Sequence, residues 1–325
     1  MADLTPNLPP RYDPVGPMIA FGEFGSVWNA YDTRRQAYVA VKVPRTPVEL
    51  AARRRPQVRQ EAEMLRRIDH PNVVRLLDHG ETPTPHLAME LLPGKTLQDQ
   101  RLPLPMDRVV RVGTQLLSAI DAVHRAGVVH RDIAPRNVMT DATGQAKLMD
   151  FGGAAAIDTK HVDVSEFRPA TGYTAPELWR RPVDLVAQRG GQRSDLYSVG
   201  AMLFQLATGK RLFTTRLDHL RGEVPDLGRL GLPKVFTTLI TSLVSRDPAD
   251  RPRDAAEARD RLGAVVVGAE RTAAVAFRPS ADIGRPVSAD RSGTSAGDRS
   301  RVHVTSEHKA TPESRSRHSE GGRDR

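Results

Sequence analysis

The stretch Val129-His130-Arg131-Asp132-Ile133-Ala134-Pro135-Arg136-Asn137, followed thirteen residues later by Asp150-Phe151-Gly152, constrains this chain more than any other. Asp132 is a carboxylate that can take a proton from a hydroxyl, Asn137 an amide five residues on, and Asp150 a second carboxylate on a tight glycine turn. Together they supply a base and two hard oxygen ligands of the kind that magnesium takes. The chemistry they point to is phosphoryl transfer.

The order H-R-D-x-x-x-x-N, then D-F-G, then Ala175-Pro176-Glu177 resembles the catalytic loop, metal loop and activation-segment end of eukaryotic-type (Hanks-type) protein kinases, with bacterial serine/threonine kinases the nearest variety. The resemblance covers roughly residues 11–265 and implies an α+β, bilobal protein-kinase fold. A small antiparallel β-sheet lobe with one helix would occupy 11–90, a hinge 90–94, and a larger, mainly helical lobe 95–265. Residues 1–10 are expected to be a flexible N-terminus, and 266–325, rich in Ser and Arg and nearly free of large apolar residues, a disordered tail.

The turn Ala20-Phe21-Gly22-Glu23-Phe24-Gly25-Ser26-Val27 resembles the kinase glycine-rich loop, with alanine in the first glycine position. Glycines there let backbone N–H groups approach a phosphate with no Cβ in the way. Val39-Ala40-Val41-Lys42, within an expected strand Tyr38–Val43, resembles the family's V-A-I-K strand. The resemblance implies Lys42 on the α- and β-phosphates, and Ile19, Val27 and Ala40 around the adenine together with Gly22 and Gly25 of the loop. A helix is expected over Val58–Ile68, stopped by His70-Pro71-Asn72. Counting back ten residues from that proline gives Glu61 as the partner of Lys42, with Glu63 the fallback.

Val73–Asp78 and His86–Leu91 read as the last strands of the small sheet, with Met89 behind the adenine pocket and Glu90, Leu91 and Leu92 as the hinge. Gly94 and Leu97 match the family's G-x-x-L, and Met139 its adenine floor. Val109, Val112, Leu116, Leu117, Ile120 and Val123 recur at helical spacing between Asp107 and Ala126, with Gly127 as the stop. Asp195, in Ser194-Asp195-Leu196-Tyr197-Ser198-Val199-Gly200, is expected to accept hydrogen bonds from the catalytic-loop backbone. Arg251, in Arg246-Asp247-Pro248-Ala249-Asp250-Arg251-Pro252, is expected to pair with Glu177.

The roles implied are Asp132 as base, Asn137 and Asp150 as ligands of Mg2+ or Mn2+, and Lys42 as the cation on ATP, fixed by Glu61. The partners implied are protein substrates, the chain itself included. Serine/threonine kinases usually carry lysine two residues after the catalytic Asp, where this chain has Ala134; the threonine that contacts it is replaced by Ala170. Arg136 sits four residues after Asp132, an arrangement that resembles tyrosine kinases and places a charge near the transferred phosphate. Serine/threonine transfer is the first reading; tyrosine or dual specificity and an ATP-binding pseudokinase or scaffold are the alternatives. Arg131 is expected to meet either Glu166 or a phosphate on Ser165, Thr159 or Thr171, and the tail hydroxyls to be autophosphorylation sites.

Cysteine is absent, which excludes disulfides and thiolate chemistry and fits a cytoplasmic protein. The net charge of +9 is spread over an arginine-rich surface without interleaved aromatics, so no nucleic-acid partner is expected. Met1–Pro17 lacks the pattern of a signal peptide, and no apolar run reaches the roughly 20 residues of a membrane span.

Overall fold

The computed structural model describes residues 7–21, 25–44, 52–157, 172–179, 190–213, 224 and 226–276. The small lobe is a five-stranded antiparallel sheet built from β1 (Tyr12–Phe21), β2 (Ser26–Asp32), β3 (Ala37–Val43), β4 (Leu76–Gly80) and β5 (His86–Glu90), in the order β1-β2-β3-β5-β4. The prolines Pro14 and Pro17 are tolerated in β1 because it is an edge strand with breaks in its pairing to β2. Period-two alternation in β3 sends Val39, Val41 and Val43 into a core with Tyr12, Trp28, Ala30 and Ala88. Ala40 and Lys42, pointing the other way, face the cleft.

One helix, α1 (Arg55–Arg66), packs on this sheet through Val58 and Ala62, which meet Leu87 of β5, while Met64 and Leu65 join the main core. Its start is three residues ahead of the expected Val58, and Pro56 occupies its first turn, where a missing N–H costs nothing. The strand expected from Val73 begins instead at Leu76. Asn72 O accepts from Leu148 N at 2.9 Å and Val74 N donates to Leu148 O at 2.9 Å, so the polar backbone of 72–74 is already satisfied by the large lobe.

The large lobe contains β6 (Lys95–Thr96), α2 (Met106–Arg125), β7 (Val128–Val129), β8 (Val138–Thr140), β9 (Ala146–Leu148), β10 (Ala155–Ala156), α3 (Gly190–Thr208), α4 (Lys234–Leu243) and α5 (Ala255–Ala276). Val109, Val112, Leu116, Leu117, Ile120 and Val123 of α2 are all buried, and they meet Val199, Met202 and Leu203 of α3 and Leu262 of α5 in the main core. Gly94 has φ +127°, and a Cβ there would run into the Thr140 carbonyl, so only glycine allows β6 to approach β8 this closely.

Two described elements cross the expected boundaries. Leu8 packs against the small-lobe core and Pro9 O accepts from Tyr12 N at 2.9 Å, ahead of residue 11. The last helix, Ala255–Ala276, runs past residue 265. Residues 1–6 and 277–325 lie outside the described residues. No described helix is long and apolar enough to cross a membrane.

The segment ending in Ala175-Pro176-Glu177 is tied to the far end of the lobe by a buried bidentate pair. Arg251 Nη1 donates to Glu177 Oε1 at 2.7 Å and Nη2 to Oε2 at 2.9 Å. Further donations go from Arg251 Nε to Ser245 O and from Nη1 to Arg193 O, and the guanidinium stacks over Tyr197 at 4.9 Å. Arg251→Ala would leave the Glu177 carboxylate buried and unpaired, so urea unfolding should show a loss of about 3 kcal/mol or more.

Candidate active site

The cleft between the lobes gathers residues from four separate parts of the chain. Lys42 of β3 donates to both Glu61 oxygens of α1, at 2.8 and 2.9 Å, and to Asp150 Oδ1 at 2.7 Å. Glu63 faces solvent. Burial pushes the Lys42 ammonium down, but the Asp150 and Glu61 carboxylates outweigh it and hold the group above its ordinary value. Burial pushes Glu61 up and Lys42 offsets this only in part. Asp150 feels the same desolvation, but Lys42 overrides it and leaves the carboxyl below the usual range, so Asp150 is an anion at neutral pH.

The loop between β7 and β8 carries the second half of the site. Asp195, fully buried early in α3, accepts from His130 N at 2.9 Å and Arg131 N at 2.8 Å, and pairs with His124 Nε2 at 2.9 Å. These bonds hold Arg131 in the left-handed region, φ +64°, where an ordinary side chain is strained. Arg131 Nε donates to Gly153 O at 2.8 Å, joining this loop to the Asp150-Phe151-Gly152 turn, where Asp150 is also left-handed at φ +60°. His130 meets the same turn, with Nε2 at 3.0 Å from Met149 O and its ring edge-on to Phe151.

Asp132 is placed by this frame. Asn137 Nδ2 donates to Asp132 O at 2.7 Å and Oδ2 at 2.9 Å, which turns the amide oxygen of Asn137 the other way. Arg136 Nη2 donates to both Asp132 oxygens, at 2.6 and 2.8 Å, so the arginine expected near a phosphate rests on the carboxylate itself. Ala134 is fully buried, leaving no space at that position for a long cationic side chain reaching the cleft without repacking.

Among the described residues no cluster of three or more His, Cys, Asp or Glu is placed to hold a metal ion unaided. Magnesium does not require one, since it is commonly held by one or two carboxylates with substrate phosphates and water. An anionic Asp150 and the free amide oxygen of Asn137 are the hard donors that fit it.

Around the adenine position, Val27 pairs with Lys42 in the β2–β3 register and Ala40 with Met89 in the β3–β5 register, which puts these residues on neighbouring strands. Met89 is buried, whereas Ile19 is half exposed on β1. Met139 lies on β8 opposite Lys147, and Leu92 follows β5, packed against the main core. Gly25 runs so close to Val43 O that any Cβ would collide with it. Gly22, Ala170, Glu166, Ser165, Thr159, Thr171 and the tail hydroxyls lie outside the described residues.

Glu90 is expected to act through its backbone, and its side chain makes contacts that the sequence does not mark. Glu90 Oε1 accepts from Lys147 Nζ at 2.6 Å and Arg75 N at 2.8 Å, clamping the hinge to β9. Lys147 lies three residues before Asp150, and no local pattern marks it.

A two-lobed fold with a lysine, three carboxylates and an amide gathered at the interlobe cleft defines the protein-kinase class. The chain belongs to the protein kinase domain family, whose profile matches residues 15–260. It is similar to a probable serine/threonine-protein kinase of Streptomyces coelicolor, at 31% identity over 278 residues, covering 79% of this chain and 40% of the relative. It is also similar to the serine/threonine-protein kinase PknB of Mycobacterium leprae, at 30% identity over 79% of this chain and 43% of the relative. For the probable serine/threonine-protein kinase PknB of Bifidobacterium longum the figures are 31% identity, 84% of this chain and 42% of the relative. The chain therefore spans about two fifths of the length of the curated relatives it matches.

The Lys42 cluster predicts a pH signature. In Lys42→Met, Glu61 and Asp150 lose their shared cation, and the folded-state pKa of Glu61 rises further above its unfolded value. A carboxyl raised in this way stabilises the fold when protonated and loses that contribution as pH rises through its folded pKa. Thermal unfolding should therefore show a gap between parent and variant that is small near pH 5 and widens toward pH 8.

Proposed function

We propose that this protein is an ATP-dependent protein kinase transferring the γ-phosphate of ATP to protein hydroxyls, serine or threonine first, with Mg2+ or Mn2+ as cofactor and the cytoplasm as its compartment. The observation that carries the reading is the single cleft in which Lys42 bridges Glu61 and Asp150 while Asp132 and Asn137 stand on the loop fixed by Asp195. The serine/threonine-protein kinases to which the chain is similar support that class.

In this reading Asp132 orients the acceptor hydroxyl and takes its proton, which requires Arg136 to yield part of its hold on the carboxylate. Lys42, kept charged by two carboxylates, supplies a fixed positive charge to the α- and β-phosphates, and Glu61 prevents it from collapsing onto Asp150 alone. Asn137 and Asp150 would hold the metal ion, which when bound neutralises charge on the phosphates. Val27, Ala40, Met89 and Met139 supply the apolar walls for adenine, and the backbone of 90–92 its hydrogen-bonding edge. Desolvation inside the cleft strengthens each of these charge contacts.

Tyrosine transfer is the second reading, favoured by one observation: Arg136, four residues after Asp132, contacts the carboxylate while Ala134 is buried. Incubating pure protein with labelled ATP and Mg2+ and mapping phosphorylated residues by mass spectrometry separates the two. Asp132→Asn should lower transfer by about 1000-fold or more while ATP affinity stays within a few-fold of the parent. Unchanged transfer in that variant would remove Asp132 from the role of base.

A further inference from the structure

One polar atom in the roof of the cleft has no part in the transfer chemistry. Strand register sets out the cleft face of the small sheet in rows. Val27 of β2 stands opposite Lys42 of β3, and Lys42 opposite Leu87 of β5; in the next row Asn29 stands opposite Ala40, and Ala40 opposite Met89. Residues directly opposite each other share a face of the sheet, so Asn29 points to the cleft with Ala40. Its chain neighbours Trp28 and Ala30 go to the other face, into the core with Val39 and Val41. The carboxamide of Asn29 therefore lies in a roof whose other members at the adenine position are Val27, Ala40 and Met89.

The Oδ1 atom of Asn29 is buried and accepts no hydrogen bond among the described residues. A buried oxygen without a donor is costly and uncommon, and a leucine of similar volume would avoid the cost. Other polar groups of the cleft are engaged, Lys42 by Glu61 and Asp150, and Asn137 Nδ2 by Asp132. The rows also fix which part of a nucleotide Asn29 would meet. Lys42 marks the phosphate end, and the next row lies two residues, about 6.6 Å, further along the strands, at the level of the base. On an adenine-type base the N–H donor is the exocyclic amino group.

We propose that Asn29 reads the nucleotide base, its Oδ1 accepting a hydrogen bond from an exocyclic amino group of a bound purine. This rests on the nucleotide-binding half of the kinase reading above. Val27, Ala40 and Met89 can grip the faces of any flat base of the right size, so they discriminate little among purines. A buried acceptor that is satisfied only by a donor on the ligand rejects a base that lacks one, because the oxygen then stays unpaired. Asn29 is here a specificity-determining residue and touches no reacting atom.

The test uses the full chain and isothermal titration calorimetry with three magnesium diphosphates: ADP, with a 6-amino group, 2-aminopurine riboside diphosphate, and purine riboside diphosphate, with no amino group. The hinge backbone at 90–92 adds its own preference for the 6-amino group, so the quantity read is the change between the parent and two variants, Asn29→Leu and Asn29→Ala. The preference for an aminated over the bare purine should fall by about 5- to 30-fold in both, the scale of one hydrogen bond, while affinity for the bare purine stays within a few-fold of the parent. Which of the two aminated nucleotides loses its advantage tells which amino group Asn29 meets. The unfolding temperature of Asn29→Leu without nucleotide should equal or exceed that of the parent, an outcome opposite to that of losing a structural hydrogen bond. Should Asn29→Leu fail to fold, Asn29→Ala, which leaves the pocket open, decides alone. The same preferences in parent and variants, as an oxygen satisfied by water alone would give, would overturn the proposal and leave the kinase reading standing. A parent that binds none of the three would overturn both.

Discussion

The Asp195 carboxylate is the interaction on which the rest of the cleft depends. It is fully buried, and a buried carboxylate is costly unless its oxygens are satisfied. Here His130 N, Arg131 N and His124 Nε2 supply three partners. In return the carboxylate holds two consecutive amides of an irregular loop and stabilises the left-handed Arg131, a conformation that costs on the order of 1–3 kcal/mol without such support. Asp132 and Asn137 take their positions from that loop. A rigid helix, itself packed in the main core, thus sets the place of the proposed base.

Three short contacts then join the lobes across the cleft. Lys42 ties β3 and α1 to the Asp150 turn, Glu90 ties the end of β5 to Lys147, and Val74 pairs its backbone with Leu148. Lys147, Leu148 and Asp150 are near neighbours in sequence, so the small lobe grips the large one along a single strand and its continuation. Asn72 Nδ2 adds donations to Gln115 Oε1 and Ala146 O from the loop after α1. The Asp150 turn is therefore held from above and below by groups that are separate in sequence, which is how a loop with strained dihedrals keeps one geometry.

Much of this was legible in the sequence because the chemistry demands particular residues at fixed intervals. His130-Arg131-Asp132 with Asn137, Val39-Ala40-Val41-Lys42, and the counted positions of Glu61, Asp195 and Arg251 all depend on short-range spacing, and period-two and helical patterns located β3 and α2. What escaped depended on tertiary pairing. Val73 and Val74 have the composition of a sheet strand, yet the backbone of 72–74 bonds to Leu148; strand propensity cannot tell which partner will compete for those groups. Lys147 and Arg211 are single basic residues among 48, and only the fold shows that one meets Glu90 and the other Tyr173. Arg136 was legible as a charge near the reaction, but its hold on Asp132 follows from the turn at Pro135–Asn137, which brings positions four apart face to face.

The Asp195 carboxylate fixes the His130–Asn137 loop through two backbone amides. Amide hydrogen exchange followed at His130 and Arg131 in the parent and in Asp195→Asn tests it directly, because the isosteric amide keeps the volume but can offer only one acceptor oxygen to the two donors. Loss of one such bond to a charged acceptor corresponds to about 1.5–3 kcal/mol. Protection at one or both of these amides is expected to fall by about 10-fold or more, while amides in the middle of α2 keep theirs. Unchanged protection at both His130 and Arg131 in a variant that has folded would contradict it.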